Sequence, residues 1–270
     1  MTDHIAEYLR HLRRPPLRRA DSTITAYSET LYRLDKAIGA GLIAALPEEL
    51  EAWLYNDAWS KSTQKQRRAA VVGFFAYWSS PKRKQRLDYN PAIDLPAVSV
   101  PRGRPRPAPR PVLDDLLERA GEPYRTWMLI AAFGGARCVE ISNLDREHVT
   151  DEEMELLGKG GKSRVVPTHE LIWQAVWDLP DGPIAVASDG SRLTRHDVSR
   201  LGNRRISQLG HDVTMHQLRH FFGTEAYEAC GHDLLVLQEL LGHASPATTQ
   251  IYVQPSRAGM RRAVAGLAIR

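Results

Sequence analysis

Apolar residues recur every third or fourth position through the first hundred residues. Ile24, Tyr27, Leu31, Leu34 and Ile38 follow at spacings of 3, 4, 3 and 4, which puts them on one face of a helix. Asp21 or Ser22 would cap its start, and Gly39 and Gly41 would end it. The same pattern predicts a helix around Ile5 to Leu12 and a short one opening at Pro47-Glu48-Glu49 and running through Trp53 and Leu54. Another, capped by Ser60 or Ser62, carries Gln64, Lys65, Arg67 and Arg68 into the apolar run Ala69 to Trp78. A bundle of about four helices over residues 1–98 is expected.

Residues 99–111, SVPRGRPRPAPRP, interrupt the periodicity. Their five prolines and one glycine are read as forbidding a helix, and their four arginines keep the stretch solvated. It is an interdomain linker, either an inert spacer or a strap lying along a phosphate backbone through Arg102, Arg104 and Arg106. Beyond it, helices are predicted near 112–120 and 123–134. Glu153 to Leu157 and Arg164 to Pro167 then flank Gly158-Lys159-Gly160-Gly161-Lys162, the pattern of a hairpin with a glycine-rich turn. Helices follow near 169–178, 194–209, 215–230 and 233–241, and Met260, Val264 and Leu267 keep helical spacing in the tail. The expected fold class is mainly α with a small β-hairpin (α+β), in two domains, 1–98 and 112–270.

Composition is that of a globular protein: 43% hydrophobic and 25% charged. No apolar run reaches the ~18 residues a membrane span needs. MTDHIAEYLRHLRR lacks the apolar core of a secretion signal. With only Cys138 and Cys230, a disulfide framework is excluded, and a reducing cytoplasm is expected. Charge is divided unevenly. Residues 1–110 hold 19 Lys/Arg against 11 Asp/Glu, a surplus of +8, while 111–270 hold 17 against 21, or −4. A basic front half suits a polyanionic partner or a plain solvated surface. The same two readings apply to the basic turn with Lys61, Lys65, Arg67 and Arg68 at a helix start.

Four stretches carry candidate chemistry. In Gly135-Ala136-Arg137-Cys138-Val139-Glu140, the glycine would let the backbone approach a ligand, and Glu140 lies three residues beyond Arg137, able to hold its guanidinium. Lys159 sits at the hairpin tip, where a lysine of lowered pKa could donate a proton, and Lys162 is its rival. His216-Gln217-Leu218-Arg219-His220 puts two imidazoles four apart on one helical face. Zinc is disfavoured there, because Gln217 stands where a zinc protease needs glutamate and no third ligand is evident. Finally LGHASPATTQIY places His243 nine residues ahead of Tyr252. Arginine forks grip phosphate oxygens, imidazoles move protons and a phenol can attack phosphorus, all without metal or cofactor.

Taken in order, GxRxxE, GKGxK, HxLRH and LGH with a tyrosine nine residues later resemble the motifs of the tyrosine recombinases, the phage integrases and Xer-type enzymes. The resemblance covers roughly 111–270 at motif level, and the helical front half matches the family's core-binding domain in architecture. It implies that Arg137 and Arg219 clamp the scissile phosphate and that Lys159 protonates the 5′-hydroxyl leaving group. His216 would bond the phosphate or act as base, His243 would bond a phosphate oxygen, and Tyr252 would form a 3′-phosphotyrosine link. Glu140 and His220 would orient the others. The implied partners are double-stranded DNA at core-type sites, a homo-tetramer in the synaptic complex, and accessory DNA-bending or directionality factors; no membrane partner is implied. The tail after Tyr252 would be the segment passed to a neighbouring subunit. The expected role is phage or mobile-element integration and excision in the bacterial cytoplasm, at the nucleoid. Its alternatives are a chromosomal Xer-like resolvase of dimers, a DNA-binding regulator that does not recombine, and an enzyme like type IB topoisomerase.

Overall fold

Each predicted apolar stripe of the front half becomes a helix in the computed structural model, which describes residues 3–101, 105–158, 161–242, 249–252 and 261. The chain divides into two units, Met1–Pro101 and Arg102–Arg270. The first holds α1 (His4–Arg13), α2 (Asp21–Ala37), α3 (Pro47–Leu54) and α4 (Lys61–Trp78). Helix α2 starts one residue earlier than its cap signal suggests, with Ala20 at the N-cap and Asp21 in the first turn, where its charge suits the helix dipole. Ser60 is the cap of α4, its oxygen accepting from the Thr63 N–H at 3.2 Å. Leu31, Leu34, Leu50, Leu54, Phe74 and Phe75 are fully buried between these helices.

In the second unit α5 (Arg110–Arg119), α6 (Tyr124–Phe133), α7 (Cys138–Asn143), β1 (Glu153–Leu157), β2 (Ser163–Pro167), α8 (Glu170–Val176), α9 (Arg195–Gln208), α10 (Met215–Ala229) and α11 (Leu234–Leu241) follow. A 3-10 turn, Gln250–Tyr252, is described beyond α11. The proline-rich stretch is less inert than its composition suggests. Ala108 is buried in the second unit's core, its N–H bonds the Gln217 carbonyl at 3.1 Å, and α5 already begins at Arg110. Pro111 does not prevent this, since the first turn of a helix has no use for its missing N–H. Helix α7 was not expected from the sequence. Six residues are too few to display a 3.6-residue period.

Helix α6 is buried nearly all round, with Trp127 through Ala132 at 1% exposure or less, and α8, α7 and α10 pack on it. β1 and β2 form a two-stranded antiparallel sheet in which Leu156 pairs with Arg164 and Met154 with Val166. Met154, Leu156 and Val166 face the core on the expected alternation. No helix among the described residues is long and apolar enough to cross a membrane.

Candidate active site

The turn from α6 into α7 forms the floor of the site. Gly135 adopts a left-handed φ of +61°, and a Cβ there would stand 2.4 Å from the Phe222 ring. One on Gly134 would stand 2.6 Å from Met154 Cε. The close approach that the glycines allow is therefore to the protein's own side chains, not to a ligand. The turn leaves Arg137 as N-cap of α7 and Glu140 in its first turn, where Oε2 accepts the Arg137 N–H at 2.6 Å.

Glu140 is the hub. Its side chain is 2% exposed and faces three guanidiniums. Arg137 Nη1 lies 3.0 Å from Oε1, Arg219 Nη1 lies 3.5 Å from Oε2, and Arg164 Nη1 donates to Oε1. The two deeper arginines also bind main chain. Arg219 donates to the carbonyls of Gly135 and, at 2.8 Å, Leu241. Arg164 donates to Gly135 at 3.1 Å and Leu240 at 3.0 Å. The free carbonyls at the end of α11, where its dipole is negative, are thus met by two cations. Burial alone would push the Glu140 carboxyl upward. The Arg164 charge, the Arg137 N–H and the Arg219 charge outweigh it, and hold the group below the ordinary carboxylate range. Burial, reinforced by Arg137, pulls the Arg219 guanidinium down, against Glu140. Exposure separates the arginines by role. Arg137 is 36% exposed, against 3% for Arg219 and 10% for Arg164, so Arg137 opens furthest toward a ligand.

Helix α10 supplies the imidazoles. Thr214 caps it, and His216 and His220 fall on one face with ring centroids 4.4 Å apart, edge to face. His216 is exposed, and His220 is half-buried beneath it. The hydroxyl of Tyr252 lies 2.9 Å from His220 Nδ1. The tyrosine ring is buried with Leu237 and Leu241 and packs closely against α10 at Gly223, where a Cβ would stand 2.5 Å from its Cζ. Burial raises the Tyr252 phenol above its ordinary value, opposed by Arg219 and Arg137. Burial also lowers His220, helped by His216 and Arg219, to about 4, and His216 shifts the same way from burial, Arg219 and Arg137. Both imidazoles are neutral at pH 7. Burial thus favours the protonated phenol, and His220 Nδ1 is the imidazole nitrogen within hydrogen-bond reach of it.

One carboxylate thus gathers Arg137 and Arg219, and one helix face brings His216 and His220 together with Tyr252 beside His220. Lys159 and His243 lie outside the described residues, as do Arg102, Arg104, Met260, Val264 and Leu267. Lys162 is exposed at the hairpin. Among the described residues no group of three or more His, Cys, Asp or Glu is placed to hold a metal. Sequence reasoning missed Arg164, reading it only as a strand end. Its signal was parity: two residues before the buried Val166, it must face inward with it.

The basic turn of the first unit divides. Lys61 and Lys65 are exposed, as is Arg106 after the boundary. Arg67 stacks on Trp59, its Cζ 3.5 Å from the ring centroid, and Arg68 Nη2 donates to the Leu95 carbonyl at 2.6 Å. These two were expected to contact DNA together with the lysines, yet their head groups are engaged in the unit's own structure. A planar guanidinium next to two tryptophans gains more from stacking than an ammonium would. Lys61→Ala and Lys65→Ala are each expected to weaken duplex binding for all sequences alike and to lower the salt slope by about one. Arg67→Ala should instead lower unfolding stability by ~1–2 kcal/mol. Binding titrations over a salt series and urea melts separate the two behaviours.

Comparison with known proteins identifies the family of the chain. The profile of the group described as the phage integrase family covers residues 112–258. Tyrosine recombinase XerC of Actinobacillus succinogenes is 33% identical over 204 residues, 69% of this chain and 68% of that protein. The structure of a lambda integrase dimer bound to a COC′ core site superposes with a TM-score of 0.76 at 17% identity, covering 95% of this chain and 96% of that one. A lambda integrase tetramer bound to a Holliday junction gives 0.76 at 16% identity, covering 93% and 76%. At such identities the two structures testify to the fold alone.

Proposed function

The chain belongs to the phage integrase family of tyrosine recombinases, and from that premise we propose that Tyr252 is the nucleophile with which it opens DNA. It is a site-specific DNA recombinase, an enzyme that cuts and rejoins strands through a 3′-phosphotyrosine intermediate. The observation that carries the assignment to Tyr252 is its hydroxyl, 2.9 Å from the His220 imidazole and within the influence of the Arg219 and Arg137 charges.

In the proposed reaction Arg137 and Arg219 hold two phosphate oxygens. Charge building on those oxygens in the transition state then meets fixed cations in a partly buried site. The Tyr252 hydroxyl gives its proton to His220 Nδ1 as Oη bonds to phosphorus. The P–O5′ bond breaks, and the departing oxygen takes a proton from Lys159. His216, at the exposed mouth, and His243 bond the same two non-bridging oxygens alongside the arginines. Rejoining runs the same steps backward with a new 5′-hydroxyl. The phosphotyrosine bond keeps the energy of the broken one, so no nucleotide is consumed.

The substrate we assign is duplex DNA carrying core-type sites, brought together by a tetramer as in the lambda integrase complex, with accessory bending or directionality factors. Integration or excision of a phage or mobile element, in the bacterial cytoplasm at the nucleoid, is the role we favour. The XerC likeness supports a second reading, resolution of chromosome dimers. The assignment of Tyr252 is tested with a duplex nicked next to the cleavage point, on which the leaving strand diffuses away. The wild-type protein should accumulate a covalent protein–DNA adduct, and its absence would remove the proposal.

The acid limb gives a separate check. His220 must be neutral to accept the proton, and it protonates only as pH falls toward about 4. Adduct formation should therefore stay level from pH 8 through 6.5, the ordinary histidine value, and decline only in more acid buffer. A limb centred on 6.5 would show that the base is some other histidine. Stability moves in the same direction. With a folded value below the unfolded one, His220 favours the folded state above 6.5, and that contribution fades as pH falls toward 4.

A further inference from the structure

We propose that Arg164 is a positioning residue for protonation of the leaving group: it locks the β-hairpin to the arginine–glutamate centre, so that the hairpin's turn delivers its acid to the 5′-oxygen.

Arg164 occupies an inward-facing place on β2, across from Leu156 and in line with Val166, where the strand's alternation calls for a hydrophobic residue. An arginine at such a place is costly unless its donors are matched. Three of its nitrogens find three separate acceptors: Nη1 the Glu140 carboxylate, Nη2 the Gly135 carbonyl at 3.1 Å, and Nε the Leu240 carbonyl at 3.0 Å. Those acceptors belong to α7, to the turn before it and to the end of α11, and the first two also receive Arg219. One side chain thus ties the strand to the groups that hold the phosphate-gripping arginines. Gly242, next in chain to α11, adopts a left-handed φ of +58° and leaves space for this side chain, since a Cβ there would stand 2.7 Å from Arg164 Cδ. The strand is also held by its register with β1 and by Val166 in the core. Toward its start the hairpin closes with the Gly158 N–H donating to the Lys162 carbonyl at 2.7 Å. The strand that leads out of that turn is thus tied to the arginine–glutamate centre by Arg164. Lysine could keep the charge, but its single ammonium cannot reproduce the three directions of the guanidinium.

The inference rests on the reading above that the hairpin supplies the leaving-group proton, and the test keeps the two apart. A duplex with sulfur in place of the bridging 5′-oxygen expels a thiolate, which leaves without being protonated. The bonds made and broken are otherwise the same. Wild type, Arg164→Lys and Lys159→Ala are each assayed for single-turnover cleavage of the oxygen and the sulfur duplex, and the ratio of the two rates is taken within one preparation. That ratio does not depend on how much of a preparation is folded, so a merely destabilised variant leaves it unchanged. Arg164→Lys should slow the oxygen duplex about tenfold or more, a part of the 10²–10⁴-fold that a positioned general acid contributes. Its sulfur-to-oxygen ratio should rise by a similar factor above wild type. A ratio equal to wild type overturns the proposal, whatever Lys159→Ala does. A raised ratio for Arg164→Lys without one for Lys159→Ala upholds the positioning role and moves the acid to another hairpin residue.

Discussion

Tyr252→Phe should bind its duplex with wild-type affinity and form no covalent adduct on nicked DNA. The substitution removes one oxygen. The ring that remains still fills the space against Gly223 and packs with Leu237 and Leu241. The hydrogen bond lost with His220 is worth about 0.5–1.5 kcal/mol, too little to unfold the unit. Chemistry, by contrast, loses its nucleophile outright. Arg137 and Arg219 would still hold the phosphate, and a phenyl ring has nothing to attack with. Denaturing gels with labelled DNA measure the adduct, and a gel shift on the same sample measures binding. Digestion of the wild-type adduct should leave the nucleotide on the peptide that contains Tyr252. Adduct from the Phe variant, or a nucleotide on another peptide, would transfer the role elsewhere.

Glu140→Ala should be the most damaging substitution for stability, and it should also abolish cleavage. The carboxylate is 2% exposed and within 3.5 Å of Arg137 and Arg219, with Arg164 bonded to the same oxygen as Arg137. Removing it leaves three cations facing one another, two of them nearly buried. Breaking a buried ion pair by deleting one partner typically costs about 3–5 kcal/mol. Glu140→Gln keeps the shape and can still accept the Arg137 N–H, so its loss should be smaller. Urea unfolding of both variants tests the order, and a loss below ~1 kcal/mol for the alanine variant would mean the hub is dispensable. Acid should act as the substitution does. Glu140 is held below its ordinary value, so its contribution is present above that value and is lost as pH falls through the lower, folded one.

Much of this was readable in the chain. The helices of both units follow apolar periods long enough to count, such as Ile24 to Ile38. The hairpin follows from a glycine-rich turn between two short runs. Arg137, Arg219, His216, His220 and Tyr252 could be singled out because their motifs keep a fixed order. Three features were not readable. Helix α7 is shorter than two turns, so its period cannot appear. Which histidine meets Tyr252 depends on how the 3-10 turn packs on α10, a contact between positions 32 apart in the chain. The division of labour in the basic turn was hidden as well, since Arg67 and Lys65 look alike until Trp59 folds back onto one of them.

That division decides how the enzyme's grip on DNA could be tuned. A mutagenesis library intended to strengthen or weaken that grip would ordinarily randomise every basic residue at the start of α4. Here nearly every member of such a library would also lose stability, because Arg67 is wedged on Trp59 and Arg68 holds the chain at Leu95. Variation confined to the exposed Lys61 and Lys65 spares both of those contacts, so a selection would report chiefly on the charge offered to DNA.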